Sequence, residues 1–431
     1  MKKYLLGTTA FAAASLVASG ASAQSLEERI RTLEEQMLMG APGSGFDITV
    51  SGYIHGGFFL QDIDPIRPAP NEEDYGAIDV KMGGAEAQFT AQTTLDNGID
   101  LMGRIELSGF TQPPGGDQID ETYIRAQGGF GQVTLGADDD AWNLTHYSSP
   151  NPGLNGIDSP NYRHAVVTGA RTGTNASLTG DANKITYFTP RFSGFQFGIS
   201  YTPNTANTNG DSGSAPYDRN SGDIENVVGI GANFSRSFGG IAVGASAGWQ
   251  SGTTNEKFDP DGTHGGSASD GAMAARGIGT DPSQWHVGGT VSRGGWTLGG
   301  AYANYEGTGG ALKLETLDGA GEDANVTAET DVSDKLAATA WAVGATYNTG
   351  PWTVGVGYLQ SEQDIGVPGA EGAIVTQTGE TTVVNAGASY ALAPGVTVAA
   401  DVSFYEDDDG ANTTNSSKEA VGAGLIMGIN F

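Results

Sequence analysis

Carboxylates are the reactive groups this chain carries in quantity. Fifty Asp and Glu stand against 20 Lys and Arg, a formal charge of −30. Three clusters stand out: Asp138-Asp139-Asp140, Asp259-Pro260-Asp261-Gly262 and Glu406-Asp407-Asp408-Asp409-Gly410. The last two offer oxygen ligands that suit calcium, but neither has the spacing of a known calcium loop. Solvated acidic turns are therefore the expectation, with weak calcium bridging between loop acids and lipid phosphates left open. No other cofactor or metal is expected. The five histidines, at 55, 146, 164, 264 and 286, have no H-E-x-x-H spacing. No G-x-S-x-G elbow, P-loop or paired-acid motif is present either. With no cysteine in the chain, thiol catalysis, cysteine-ligated metals and disulfides are excluded. An enzyme is disfavoured, and the acid excess argues against nucleic acid, which requires basic patches. What clustered carboxylates can do without a nucleophile is electrostatic: they concentrate cations and repel anions.

Electrostatics of that kind needs a frame that holds the charges. The first segment does not belong to it. Lys2-Lys3, an apolar run from Tyr4 to about Ala18, and Ala21-Ser22-Ala23 make residues 1–23 a secretory signal peptide. Its removal takes Lys2 and Lys3 with it, so the balance moves from −30 to −32. In residues 24–45, Leu26, Ile30, Leu33 and Met37 follow a 4-3-4 spacing, and Ser25 with Glu28 forms a capping box. This short N-terminal helix is either a coiled coil that helps trimerise the protein or an amphipathic tail, since two heptads are marginal alone. Ala41-Pro42-Gly43-Ser44-Gly45 is its linker.

From residue 46 to 431 the period becomes two. Ile48, Val50, Gly52, Ile54, Gly56, Phe58 and Leu60 alternate with Thr49, Ser51, Tyr53, His55 and Gln61. Similar segments recur at about 76–95, 99–109, 118–128, 131–138, 183–190, 195–202, 225–237 and 241–250, then at 284–292, 296–305, 337–348, 351–361, 381–390, 395–405 and 419–431. Counting the first, there are sixteen. Their connections alternate in length. Asp96-Asn97-Gly98, Gly128-Gly129, Arg191-Phe192-Ser193-Gly194, Gly239-Gly240, Arg293-Gly294-Gly295, Asn348-Thr349-Gly350-Pro351 and Ala393-Pro394-Gly395 are tight hairpin turns. The connections 203–223, 251–282, 306–335, 362–380 and 406–418 are long and polar. Short turns at one end and long loops at the other characterise a transmembrane β-barrel. Trp296, Trp341, Trp352, Tyr302, Tyr347, Tyr358 and Tyr390 fall near strand ends, where lipid meets water. The fold expected is all-β: a closed transmembrane antiparallel β-barrel of about 16 strands, wide enough for an aqueous channel.

One connection breaks the pattern. Between the strand ending near Asp138 and Ile185-Thr186-Tyr187-Phe188 lie roughly forty-five residues without clear period, carrying Pro150, Pro152 and Pro160. A loop of that length in a compact domain is functional or disordered. Residues 138–182 are therefore expected to fold into the lumen and narrow it.

Two further stretches carry a resemblance. In the last strand Val421, Ala423, Leu425, Met427, Ile429 and the terminal Phe431 share a face, similar to the sorting signal of Gram-negative outer-membrane proteins. Gly129-Phe130-Gly131-Gln132-Val133-Thr134-Leu135-Gly136 resembles the strand that precedes the constriction loop of general diffusion porins. From about Asp47 to Phe431 the chain resembles that family, in its alphaproteobacterial form. The resemblance implies a homotrimer in the outer membrane of a Gram-negative bacterium, in contact with lipid and lipopolysaccharide. It implies passive diffusion of small hydrophilic solutes and ions past a constriction where loop acids face basic wall residues. The loop acids would be Asp138, Asp139, Asp140 and Asp158. For the wall, alternation puts Arg104 inward with Asp100 and Glu106, and Lys81 inward beside Asp79, while the phase of Arg125 stays open. The basic ladder is thin, and Asp120 and Glu121 stand where such porins often place arginine. A cation preference is the expectation. The alternatives are a substrate-specific channel, for example for sugars, and a surface adhesion or structural barrel. Inward aromatics such as Tyr53 and Phe59 are too few for a sugar slide.

Overall fold

The structure, a computed structural model, describes residues 45–65, 75–109, 119–152, 158, 173–205, 224–254, 273–278, 281–307, 311–318, 325–330, 337–368, 374–408 and 418–431. Signal peptide, N-terminal helix, most of the linker and the acidic runs 259–262 and 409–410 lie outside these residues.

Alternation builds the wall. Sixteen strands close in antiparallel order: β1 (Asp47–Pro65), β2 (Tyr75–Thr94), β3 (Asp100–Ser108), β4 (Ile119–Gly128), β5 (Gly131–Ala137), β6 (Asn183–Phe188), β7 (Phe195–Asn204), β8 (Ile224–Phe238), β9 (Ile241–Thr254), β11 (Ser283–Arg293), β12 (Trp296–Glu306), β15 (Ala337–Thr349), β16 (Trp352–Pro368), β17 (Ile374–Ala393), β18 (Val396–Asp408) and β19 (Lys418–Asn430). The register of β1 on β19, from Tyr53 opposite Asn430 to Pro65 opposite Lys418, completes the ring. Closure leaves no barrel strand with an unpaired edge, as a bilayer requires.

The tight turns have the expected chemistry. Gly239-Gly240, Gly294-Gly295 and Ser193-Gly194 each place two successive residues at positive φ, the geometry that matches strand twist in two-residue hairpins.

The opposite end differs from expectation in two places. The 362–380 connection is largely a hairpin extension, since β16 and β17 stay paired out to Pro368 opposite Ile374. The loops 251–282 and 306–335 hold a separate sheet of β10 (Met273–Ile278), β13 (Ala311–Asp318) and β14 (Asn325–Thr330) in the order β10-β13-β14. β10 and β13 come from different loops, so their pairing is a tertiary event with no local signal.

Outward positions are apolar and exposed: Ile78, Val80, Ile105, Ile124, Leu135, Leu298, Val356 and Leu425 all present their side chains to the exterior. Aromatic pairs mark two levels. Trp296–Tyr347, tilted, and Trp352–Tyr390, edge-to-face, pair at the turn end, with ring centroids 4.8 and 4.7 Å apart. Trp285–Tyr302 and Trp341–Tyr358 pair in tilted geometry nearer the loops, at 5.3 and 4.8 Å. Trp296 and Tyr302 are six residues apart in β12, about 20 Å along the strand. That spacing suits the two faces of an apolar band.

Candidate functional site

The described limbs of the long connection after β5, residues 138–152 and 173–182, lie against the inner face of the barrel. The connection begins with a four-residue helix, α1 (Ala141–Leu144), capped by Asp140, whose carboxylate accepts from the Asn143 N–H at 2.9 Å. The outbound limb then crosses the inner wall. Ala141 N–H donates to Ser200 Oγ in β7 at 2.7 Å, Tyr147 N–H to Ser246 Oγ in β9 at 2.9 Å, and His286 Nε2 in β11 to the Trp142 carbonyl at 3.2 Å. The return limb is held by side chains from the same wall. Tyr305 of β12 donates to the Gly173 carbonyl at 2.6 Å and accepts from Ala176 N–H at 3.2 Å. Gln284 Nε2 donates to the Ala176 carbonyl at 2.7 Å, and Leu178 N–H donates to Gln250 Oε1 at 2.9 Å. Trp142 is fully buried beneath the loop, edge-on to His286 with centroids 4.2 Å apart.

A run of glycines makes the seat. A Cβ at Gly231 would run into the Ala141 carbonyl, at Gly288 into the Tyr147 carbonyl, and at Gly299 into the Ser148 carbonyl, while at Gly198 it would meet the Phe188 ring first and Ala141 at 3.0 Å. A Cβ at Gly344 would strike Ser149 Oγ, and at Gly355 the Ala345 carbonyl, with Pro152 Cβ at 2.9 Å.

The four loop acids have different roles. Asp140 is fully buried and, beyond its cap, accepts from Ser177 Oγ and Thr179 Oγ1, both at 2.9 Å, and from Gln250 Nε2. Asp158 staples the two limbs, accepting from Ser148 Oγ, from Thr174 Oγ1 and, at 2.7 Å, from Thr174 N–H. Burial raises the pKa of Asp158 although those bonds oppose it. These two carboxylates are committed to the architecture of the loop, a use that residue type and position do not reveal.

Asp138 and Asp139 belong to a charged wall. Arg125 Nη2 of β4 pairs with Asp138 Oδ2 at 3.0 Å, and its Nε donates to Thr134 Oγ1 at 3.1 Å. The open phase of Arg125 is thereby settled as inward. Arg104 of β3 is inward as expected, donating to Glu106 at 3.1 Å and to Thr90 Oγ1 at 3.2 Å. Both guanidinium groups lie over the Tyr123 ring, at 4.8 Å for Arg125 and 6.0 Å for Arg104. Lys81 stands in β2 opposite Gly57, and its side chain lies outside what the structure describes.

Burial raises Asp138 in spite of Arg125, and it raises Asp181, at the far end of the loop, as well. Asp139 is pushed up to about 7, by burial first and then by Asp181, Asp140 and Asp138. His146, whose Nε2 lies 3.1 Å from Thr174 Oγ1, is lowered to about 4 by burial alone.

Sequence reasoning missed Lys184, Tyr123, Gln250 and Tyr305. Lys184 in β6 is buried and donates to the carbonyls of Asp138 and of Gly180, the latter at 2.7 Å. Its signal was available, for it alternates with outward Ile185. Among the described residues no cluster of three His, Cys, Asp or Glu could hold a metal.

A model of the Gram-negative porin family matches residues 8–410. No curated protein matches the chain. Solved structures do, at low identity. An anion-selective porin from Comamonas acidovorans superposes with a TM-score of 0.53 at 15% identity, over 90% of this chain and all of that one. OmpF of Salmonella typhi gives 0.52 at 16%, over 90% and 98%. The trimer form of OmpT, an outer-membrane protein of Vibrio cholerae, gives 0.51 at 15%, over 89% and 99%. They share the fold.

Proposed function

Since the chain belongs to the Gram-negative porin family, a channel of the outer membrane, we propose that it is a general diffusion pore that passes small hydrophilic solutes down their gradients and prefers cations. The observation that carries the proposal is the placement of residues 138–152 and 173–182 against the inner face of the barrel, beside a wall rich in carboxylates. Around the root of that loop stand Glu86, Glu106, Glu121, Asp138, Asp139 and Asp181, against Arg104, Arg125 and Lys184. Negative charge in a narrow, low-dielectric lumen concentrates cations. The preference is therefore opposite to that in the name of the Comamonas porin.

A homotrimer is the proposed assembly, supported by an asymmetry of the outer face. The aromatic pairs belong to β11–β17, whereas the described outward residues of β1–β5, such as Ile48, Ile78, Val80, Ile105 and Ile124, include no Trp or Tyr. A sector without interfacial aromatics suits contact with a second copy better than contact with lipid. The likeness to a trimeric OmpT agrees.

Planar-bilayer recording tests both points. Current should appear in steps of three, with a reversal potential of cation-selective sign under a KCl gradient. Folded, heat-modifiable protein that carries no current would end the channel reading and favour an adhesive or structural barrel.

A further inference from the structure

The seat of the inserted loop runs over two neighbouring groups of strands, with Gly198 in β7 and Gly231 in β8, then, beyond β9, Gly288 in β11, Gly299 in β12, Gly344 in β15 and Gly355 in β16; in β9 itself a Cβ at Gly244 would meet Thr290 first and the Tyr147 ring at 3.0 Å. None of these six has a positive φ, so backbone conformation does not call for glycine at any of them. Space does. At Gly231, Gly288, Gly299 and Gly344 an added Cβ would sit first on an atom of residues 141–152; at Gly198 and Gly355 it would first meet the wall, the Phe188 ring and the Ala345 carbonyl, with Ala141 and Pro152 at 3.0 and 2.9 Å. Glycine inside a strand forfeits packing and backbone entropy, and its use marks a close approach of another chain segment. Several partner one another in register: Gly198 faces Gly231, and Gly299 faces Gly344.

We infer that this glycine track sets the bore of the channel, by letting the loop's outbound limb sink into the wall to the depth of one missing side chain. The inference rests on the channel reading proposed above. On a wall of ordinary residues the same loop would ride further toward the pore axis. Gln250, Gln284 and Tyr305 hold the return limb by hydrogen bonds rather than by glycine. The bore is thus encoded by positions that no conducted solute touches.

The native chain has no cysteine, so one introduced thiol can report on the seat. Thr145, 1% exposed and adjacent to Gly231, is the position for Thr145→Cys. In that background Gly288→Ala and Gly344→Ala should each speed reaction with a water-soluble maleimide. In the parent protein each should lower single-channel conductance, and the two together should lower it further. Gly103→Ala is the control for folding and insertion, because a Cβ there meets nothing within 4 Å; it should change neither reading. Because Gly344 faces Ser149 Oγ, adding Ser149→Ala to Gly344→Ala should restore part of the lost conductance, which a general packing defect would not do. Unchanged thiol reactivity in both glycine variants overturns the inference. So does raised reactivity at unchanged conductance. Raised reactivity in a protein whose parent carries no current would sink the channel reading while upholding the seat.

Discussion

The two sides of the lumen solve different problems with the same alternating strands. On β2–β6, inward positions carry Glu106, Tyr123, Arg125 and Lys184, bound to one another and to the root of the loop. On β7–β16 the inward positions that meet the loop carry glycine, Ser200, Ser246, Gln250, Gln284, His286 and Tyr305, and none of these is a carboxylate, lysine or arginine. One side sets the field and the other sets the shape. A charged wall cannot seat a backbone closely, because each long side chain needs its own volume and partners. A glycine wall can, but it offers no field. Dividing the tasks around the ring lets a single loop face charge on one flank and lie in a groove on the other.

That division can be broken from the charged side first. Arg125→Ala would leave Asp138 buried without its cation, and removing one partner of a buried pair costs about 3–5 kcal/mol. Because Arg125 is 23% exposed, about 2 kcal/mol is the better expectation here after allowing for solvent screening. Denaturant unfolding in detergent should show the loss, and the reversal potential should move further toward the cation limit. A shift toward anions would contradict the division.

The next effect belongs to the seated side. Asp140→Ala removes the cap of α1 and the partner of Ser177, Thr179 and Gln250. Losing a cap costs about 1 kcal/mol, and stranding buried donors adds a similar amount. The variant should be nicked faster by protease within 141–182 and show noisier current, with ion selectivity little altered. A selectivity change as large as that of Arg125→Ala would show that the two sides are not separable.

The smallest effect is pH-dependent. A carboxyl raised to about 7 is uncharged below that value, so cation selectivity should rise between pH 5 and pH 8, and Asp139→Asn should flatten the rise. The same shift means that the folded state holds this proton more tightly than the unfolded one. Its stabilising contribution is complete below the ordinary value of 3.8 and is lost as pH climbs through about 7. His146 works in the other direction. Held near 4 by burial, it costs nothing at neutral pH, and its contribution is lost as pH falls from its ordinary 6.5 through 4. Denaturant unfolding of Asp139→Asn and His146→Gln across this range checks both signs.

The barrel was legible in the sequence because its determinants are local. Sixteen alternating segments, tight Gly-containing turns and long loops on the other side follow from period and turn chemistry, and the strands closed in that order. The inward phase of Arg104 followed from Ile105 and Leu107 beside it. The length of the 138–182 insertion set it apart from the other connections, and its described limbs, 138–152 and 173–182, lie against the inner wall. Tertiary structure decided the rest. Asp138, Asp139, Asp140 and Asp158 are chemically alike in sequence, yet one is ion-paired, one is left to titrate, one caps a helix and one staples two limbs. Which role each takes depends on partners as far away in sequence as Gln250, and no local pattern encodes them. The glycines of β7–β16 read as weak strand residues until the loop is seen lying on them. Alternation tells a side chain which face it is on; only the folded chain tells it what it meets there.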